Sequence, residues 1–307
     1  SDLSYGQIVA SLPPGNWNIC WMRDMAYAIV ALVRSGHLAE ARDALEFVLN
    51  ADTGYYQAEY VGVPYQVTIT RYFGRGKEES DSNVDGPNIE FDGFGLFLWA
   101  LGEYLKAVDG DDLLETYWET IRDEIAGALV SLVDDETGLI SADSSIWEVH
   151  WNGRQKRYSY TSLAAARGLC EAASMASSQE EDVLAGQYET TAVAIRDALG
   201  EHAIDPQGVL ASSYEELRDD SGYHDMASVE AFDWLLFNPQ GSVAAATLDM
   251  FESELRVASG LGYFRNDDGG LDRQSPRRPC PDGRPSSGLD HGPGGSQPRD
   301  DRGVART

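Results

Sequence analysis

Residues 91–133, FDGFGLFLWALGEYLKAVDGDDLLETYWETIRDEIAGALVSLV, decide how the chain is read. Phe94, Phe97, Leu101, Tyr104 and Val108 recur at helical spacing, and a second stripe follows through Leu114, Tyr117, Ile121, Ile125, Leu129 and Leu132. Only VDGDD separates them, a link short enough to fold one helix back against the other. Outward from this pair the pattern repeats: 24–35 with 38–50, 159–177 with 181–199, and 226–237 with 241–258, joined by RSGHLAE, SSQEE and NPQGS. Short strands or extended loops are expected in 54–74, GYYQAEYVGVPYQVTITRYFG, where Tyr, Val, Thr and Ile are dense. The longer connections between pairs carry the aromatic and charged clusters. Hairpins packed side by side would gather those connections at one end of the stack.

The chain has 307 residues, 42% of them hydrophobic, enough for a sizeable core without staples. Its net charge of −28 excludes a nucleic-acid partner, because phosphate binding needs clustered cations, and favours a neutral or cationic ligand. No apolar run is long enough for a membrane span, and SDLSYGQIVA lacks the zones of a signal peptide, so the expected location is cytoplasmic or secreted, with no membrane partner. Cys20, Cys170 and Cys280 fit neither a disulfide framework nor a zinc site; the first two read as small buried apolar residues. Residues 271–307 contain no aromatic residue, half of the twelve prolines and seven arginines. Such text cannot build a core, and it reads as a disordered arm or as the product of a shifted frame behind a domain spanning 1–270.

Four clusters carry chemistry. In WNICWMRDMAYAIVAL, Trp17 and Trp21 precede an Arg23–Asp24 pair just before an apolar helix. Indoles that stack on pyranose faces and a charged pair that bonds hydroxyls make a sugar site, although an acid at position 24 also suits a helix start. In DSNVDGPNIEFDGFG, Asp81, Asn83, Asp85 and Gly86 imitate the opening of a calcium loop. Ile89 holds that loop's ninth position and Asp92 the place of its closing glutamate, so no metal is expected and Asp92 reads as the start of a helix. In IWEVHW, Glu148 lies among Trp147, Trp151 and His150; apolar rings around a carboxyl favour its protonated form, as a general acid requires. In GLGYFRNDDGG, Arg265 follows two aromatic residues and precedes Asp267.

In this order the clusters resemble glycoside hydrolase family 15, the glucoamylase family. WMRD is similar to the family's Trp–Arg–Asp segment, whose charged pair holds the terminal glucose; the resemblance carries Trp21, Arg23 and Asp24. FDGFGLFLWAL resembles the start of its next inner helix and puts Asp92 near the pocket. IWEVHW resembles the segment of the general acid, Glu148, and YFRNDDG that of a further substrate-binding arginine, Arg265. The implied fold is all-α, an (α/α)6 barrel or six-hairpin toroid, incomplete here because four pairs are counted. The implied activity is exo-acting, inverting hydrolysis of α-glucosides such as malto-oligosaccharides or starch, without a cofactor. The family's usual second acid is replaced by Val149, and nothing in 271–307 resembles its catalytic base, so weak or no activity is expected of this chain alone. Trehalose or an α-1,6-glucan could replace the substrate, and a non-catalytic toroid that binds carbohydrate or protein is the rival from another class.

Overall fold

The computed structural model describes residues 5–12, 14–15, 17–83, 86–144, 146–148 and 155–267. Within them the helical pairs form. The first is α1 (Met22–Arg34) with α2 (Leu38–Leu49). The second is α3 (Asp92–Ala107) with an outer rod of α4 (Leu113–Thr120), a π turn at Ile121–Ala126 and α5 (Gly127–Ser131). The third is α6 (Ser159–Ser178) with α7 (Asp182–His202), and a short α8 (Tyr214–Asp219) follows. The fourth is a 3-10 turn at Met226–Val229 leading into α9 (Glu230–Asp233), then α10 (Ser242–Met250) and a closing π turn at Phe251–Leu255.

The first members pack on one another in chain order, α1 on α3, α3 on α6 and α6 on α9, and make an inner row. Their direction follows from contact register. A Cβ built on Gly93 would meet Met22 at 3.2 Å near the start of both helices, and Arg34 lies 3.6 Å from Glu103 near their ends. A Cβ on Gly95 would fall 2.2 Å from the Ala164 carbonyl oxygen, and one on Gly102 2.4 Å from the Glu171 carboxyl. Positions therefore advance together, so α1, α3 and α6 run parallel and their N-termini share one end. The close crossing of α3 and α6 is permitted by small residues: Gly168 sits directly against the Gly95 backbone. Helix α3 is buried almost all round, Phe94 through Leu101 without a break, as expected for a helix between two neighbours and an outer layer.

Two expectations change, the extent of helix 226–237 and the burial of Cys170. Helix 226–237 ends at Asp233, because Trp234 turns inward to pack 5.5 Å from the Trp99 ring and 6.2 Å from the Tyr160 ring. The Phe237 N–H then donates back to the Ala231 carbonyl, with Leu235 in the left-handed region at φ 59° and its side chain exposed. In 54–74, Gln57–Val61 forms a π turn and only β2 (Arg71–Phe73) is a strand; it lies between β1 (Cys20–Trp21) and β3 (Lys77–Glu79) in an antiparallel sheet. The register sets Trp21 opposite Arg71, and Arg71 opposite Glu79. A second small pairing joins β4 (Ser82–Asn83) to β5 (Gly86–Pro87). Cys20 is buried as expected, but Cys170 is exposed, since it falls off the α6 stripe that buries Leu169 and Ala172. Residues 271–307, and Cys280 among them, lie outside the described residues. No helix among the described residues is long and apolar enough to cross a membrane.

Candidate active site

The shared end of the inner helices collects buried polar side chains. Arg23 stands in the first turn of α1, where its Nε donates to Asp92 Oδ2 at 2.7 Å and its Nη2 to Glu90 Oε2 at 2.7 Å. Its partners are thus Glu90 and Asp92. Asp24 is exposed, and the residue at the N-cap is Trp21. An acid in the first turn is favoured by the helix dipole wherever its side chain points.

The segment NIEFD, residues 88–92, alternates polar and apolar residues, so Asn88, Glu90 and Asp92 share one side while Ile89 and Phe91 go to the core. Hydrogen bonds from Glu90 N–H to Ile69 O and from Ser144 N–H to Ile89 O hold this extended run between two neighbours. Asp92 opens α3 as expected, while the Phe91 N–H, unpaired by the helix itself, donates to Asp143 Oδ2 at 3.0 Å. The fully buried Asp143 also accepts from Thr161 Oγ1 at 2.8 Å and so ties the starts of α3 and α6 to the loop carrying residues 146–148.

That loop brings in Glu148, which adopts φ 55°, an uncommon conformation for a residue with a side chain. Its Oε2 accepts from Asn88 Nδ2 at 2.8 Å, and the same amide nitrogen donates to Glu90 Oε1 at 2.7 Å. Burial pushes the Glu148 carboxyl above the ordinary glutamate range, against the opposing pull of Arg23. Burial pushes Glu90 well above it too, again against Arg23, with Glu148 and Asp92 adding to the rise. The polar groups that meet Glu148 therefore come from 88–92, and Trp147 points elsewhere.

Trp147 donates its Nε1–H to both oxygens of Asp225, at 3.0 and 2.9 Å, and the Arg265 guanidinium lies 5.3 Å from the centre of its ring. Asp225 also caps the following turn by accepting from the Ala227 N–H at 2.9 Å. The 146–148 loop is thus a strap between two clusters, with Glu148 reaching Asn88 and Trp147 reaching Asp225. Burial raises the Asp225 carboxyl to about 7. A carboxyl raised on folding contributes stability that is complete below its unfolded value, about 4, and is lost as pH rises through its folded one. Asp225→Asn is expected to remove that decline between about pH 4 and 7 from the urea midpoint; an unaltered slope in the variant would contradict the assignment.

Trp21 is 5% exposed, with the Arg71 guanidinium 5.4 Å from its ring centre and Trp17 packed edge-on at 5.9 Å. Arg71 is itself held by Asp81 at 2.8 Å and Glu79 at 3.3 Å. Trp17, 38% exposed, offers the open ring at the rim, whereas Trp21 braces Arg71 from beneath. Asp81 and Asp92 face different arginines, and no cluster able to hold a metal ion occurs among the described residues. Trp151 and His150 lie outside the described residues, as does Asp85. Glu90, Asn88, Arg71 and Asp225 were not singled out from the sequence. The alternation in NIEFD was a legible signal for Asn88 and Glu90; for Arg71 and Asp225 the sequence holds none.

The sequence model of glycosyl hydrolases family 15 matches residues 4–279. The chain belongs to that family. Among relatives of this glycosyl hydrolase family 15 member is Trehalase 2 of Sulfolobus acidocaldarius, 26% identical over 268 residues, which are 81% of this chain and 43% of that protein. A solved glycosidase is similar with a TM-score of 0.67 at 19% identity, over 86% of this chain and 68% of that one. A bacterial glucoamylase complexed with acarbose is similar with a TM-score of 0.63 at 14% identity, over 86% of this chain and 40% of that one. The family 15 chain therefore has the helical-toroid fold of the glucoamylase (α/α)6 barrels, and it spans less than half the length of the trehalase.

Proposed function

We propose that the protein is an exo-acting, inverting α-glucosidase of the glucoamylase kind, which removes terminal glucose from malto-oligosaccharides or starch. Glu148 is the proton donor. Arg23, Asp92, Asp24 and Arg265 bind or orient sugar hydroxyls, and the tryptophans at 17, 21 and 147 form or brace the walls. The observation that supports this reading is the run Arg23–Glu90–Asn88–Glu148, which leads to a carboxyl raised by burial beside the inner-helix N-termini. In an inverting hydrolysis the acid passes its proton to the glycosidic oxygen as the bond from the anomeric carbon breaks. Water attacks from the opposite face and gives its proton to a second carboxylate. A carboxyl that keeps its hydrogen near neutral pH is suited to the first of these roles.

A second reading, hydrolysis of trehalose, is favoured by the similarity to Trehalase 2 and uses the same acid on a different leaving sugar. Titration calorimetry with acarbose, maltose and trehalose tests both. Binding is expected, and Asp24→Ala, an exposed change that spares the fold, is expected to weaken it about tenfold, the loss of one hydrogen bond to a charged group. Preference for maltose or trehalose separates the two readings. No binding of any of the three sugars would overturn both and leave a non-catalytic scaffold.

A further inference from the structure

Two carboxyls that share one donor cannot ignore each other's charge. A single amide nitrogen of Asn88 donates to Glu90 and to Glu148, at 2.7 and 2.8 Å, so the two accepting oxygens lie within about 5.5 Å. Both hydrogens of that nitrogen are committed, one to each acid. Glu90 is 3% exposed, and its other oxygen is taken by Arg23 Nη2 at 2.7 Å. Arg23 divides its charge between Glu90 and Asp92. Three carboxyls, Glu90, Asp92 and Glu148, thus stand around one guanidinium. The other cation facing Glu148, Arg71, is engaged by Asp81 and Glu79. Asp81 itself bears on Glu148 with the same sign. The cluster therefore has an excess of potential negative charge in a buried place, and such a cluster retains a proton.

We propose that Glu90 and Glu148 form one proton-sharing pair, bridged by the Asn88 amide, which retains a single hydrogen between the two acids and in which Glu90 is the positioning residue. Arg23 works against that hydrogen from the Glu90 side. Its salt bridge to Glu90 Oε2 favours the ionised form of Glu90, while no cation contacts Glu148 directly among the described residues. Burial raises both carboxyls, Glu148 adds to the rise at Glu90, and the hydrogen bond with Glu90 acts to lower Glu148, as expected of two acids that hold one hydrogen between them. The pair titrates in two steps that belong to both acids together. This inference rests on the reading of Glu148 as the proton donor, and it identifies what tunes that donor: a neighbouring acid in NIEFD, in addition to the indoles beside it in sequence.

The test is a carboxyl-carbon NMR titration of the full chain labelled at glutamate Cδ, with Glu90→Gln and Glu148→Gln to assign the two signals. In Glu90→Gln the two-step Glu148 curve is expected to collapse to a single step displaced by about one pH unit or more, since the acid that shares its hydrogen is gone. Coupling is reciprocal, so Glu148→Gln must lower the Glu90 midpoint by a similar amount. Glu90→Asp, which retains the acid, should restore most of the two-step Glu148 curve. Superimposable Glu148 curves in wild type and Glu90→Gln would overturn the pairing. Should Glu90→Gln fail to fold, the half-buried Glu148→Gln decides alone, and an unmoved Glu90 midpoint overturns it. No sugar enters this measurement, so its failure is distinct from a failure of the calorimetry to find a carbohydrate ligand.

Discussion

Replacing Arg23 with alanine is expected to cost about 3–5 kcal/mol of folding free energy, the range for removing one partner of a buried ion pair. The guanidinium serves two carboxylates at 2.7 Å each, and the side chains of Glu90 and Asp92 are 4% and 2% exposed. Without it, two acids remain in a place with little water, and Arg71 is already occupied by Glu79 and Asp81. The deficit has a sign in pH. Burial already holds Glu90 above its ordinary range and Arg23 acts to lower it, so the variant raises Glu90 further. An acid raised on folding gives stability that is complete below its unfolded value and is lost as pH rises through its folded one. The variant's deficit is therefore expected to grow as pH rises from below to above the ordinary glutamate range. Urea midpoints at both ends measure it, and a deficit that shrinks with rising pH would show that the carboxylates are not what Arg23 supports. Arg23→Lys should fall between, because one ammonium cannot reproduce the fork that meets both acids.

Gly95→Ala is expected to cost about 3 kcal/mol or more, at the upper end of overpacking effects. The added carbon would lie 2.2 Å from the Ala164 carbonyl oxygen and 2.7 Å from the Ala165 nitrogen, all of it backbone. No rotamer change relieves that contact, so α3 and α6 must separate along the crossing that also holds Gly168. Thermal unfolding should fall by about 6–12 °C, using the usual scaling for a domain of this size. The control is Gly200→Ala in α7, where a Cβ meets nothing within 4 Å. There the same change is expected to stabilise by about 1 kcal/mol through helix propensity alone. Equal melting of the two variants would mean that the crossing is looser than described. Because the crossing lies one turn from Asp92, the first variant should also weaken sugar binding, and the control should not.

Much of the architecture was readable in advance. The stripes at 94–108 and 114–132 became α3 and the α4–α5 rod, and the remaining pairs formed close to the expected bounds, because helical periodicity is a property of neighbouring residues. Where periodicity misled, at 234–237, three rings from different helices outweighed it: Trp234 reaches Trp99 and Tyr160 only by leaving the helix. The dense β-formers of 54–74 yielded a single strand, since propensity makes a sheet only where a partner strand is at hand, and here β1 and β3 meet residues 71–73 alone.

The sequence by itself determined the hairpin pattern, the order of the motifs and the family they resemble, and it pointed to an acid at 148, because each of these is written in residues a few positions apart. Only the tertiary structure decided who partners whom. Arg23 adjoins Asp24 in sequence, yet its hydrogen-bond partners are Glu90 and Asp92, at separations of 67 and 69 residues. Glu148 meets Asn88 across 60 residues, and Trp147 meets Asp225 across 78. Such contacts are set by where parallel helices place their N-termini, a consequence of packing the whole inner row that no local spacing encodes.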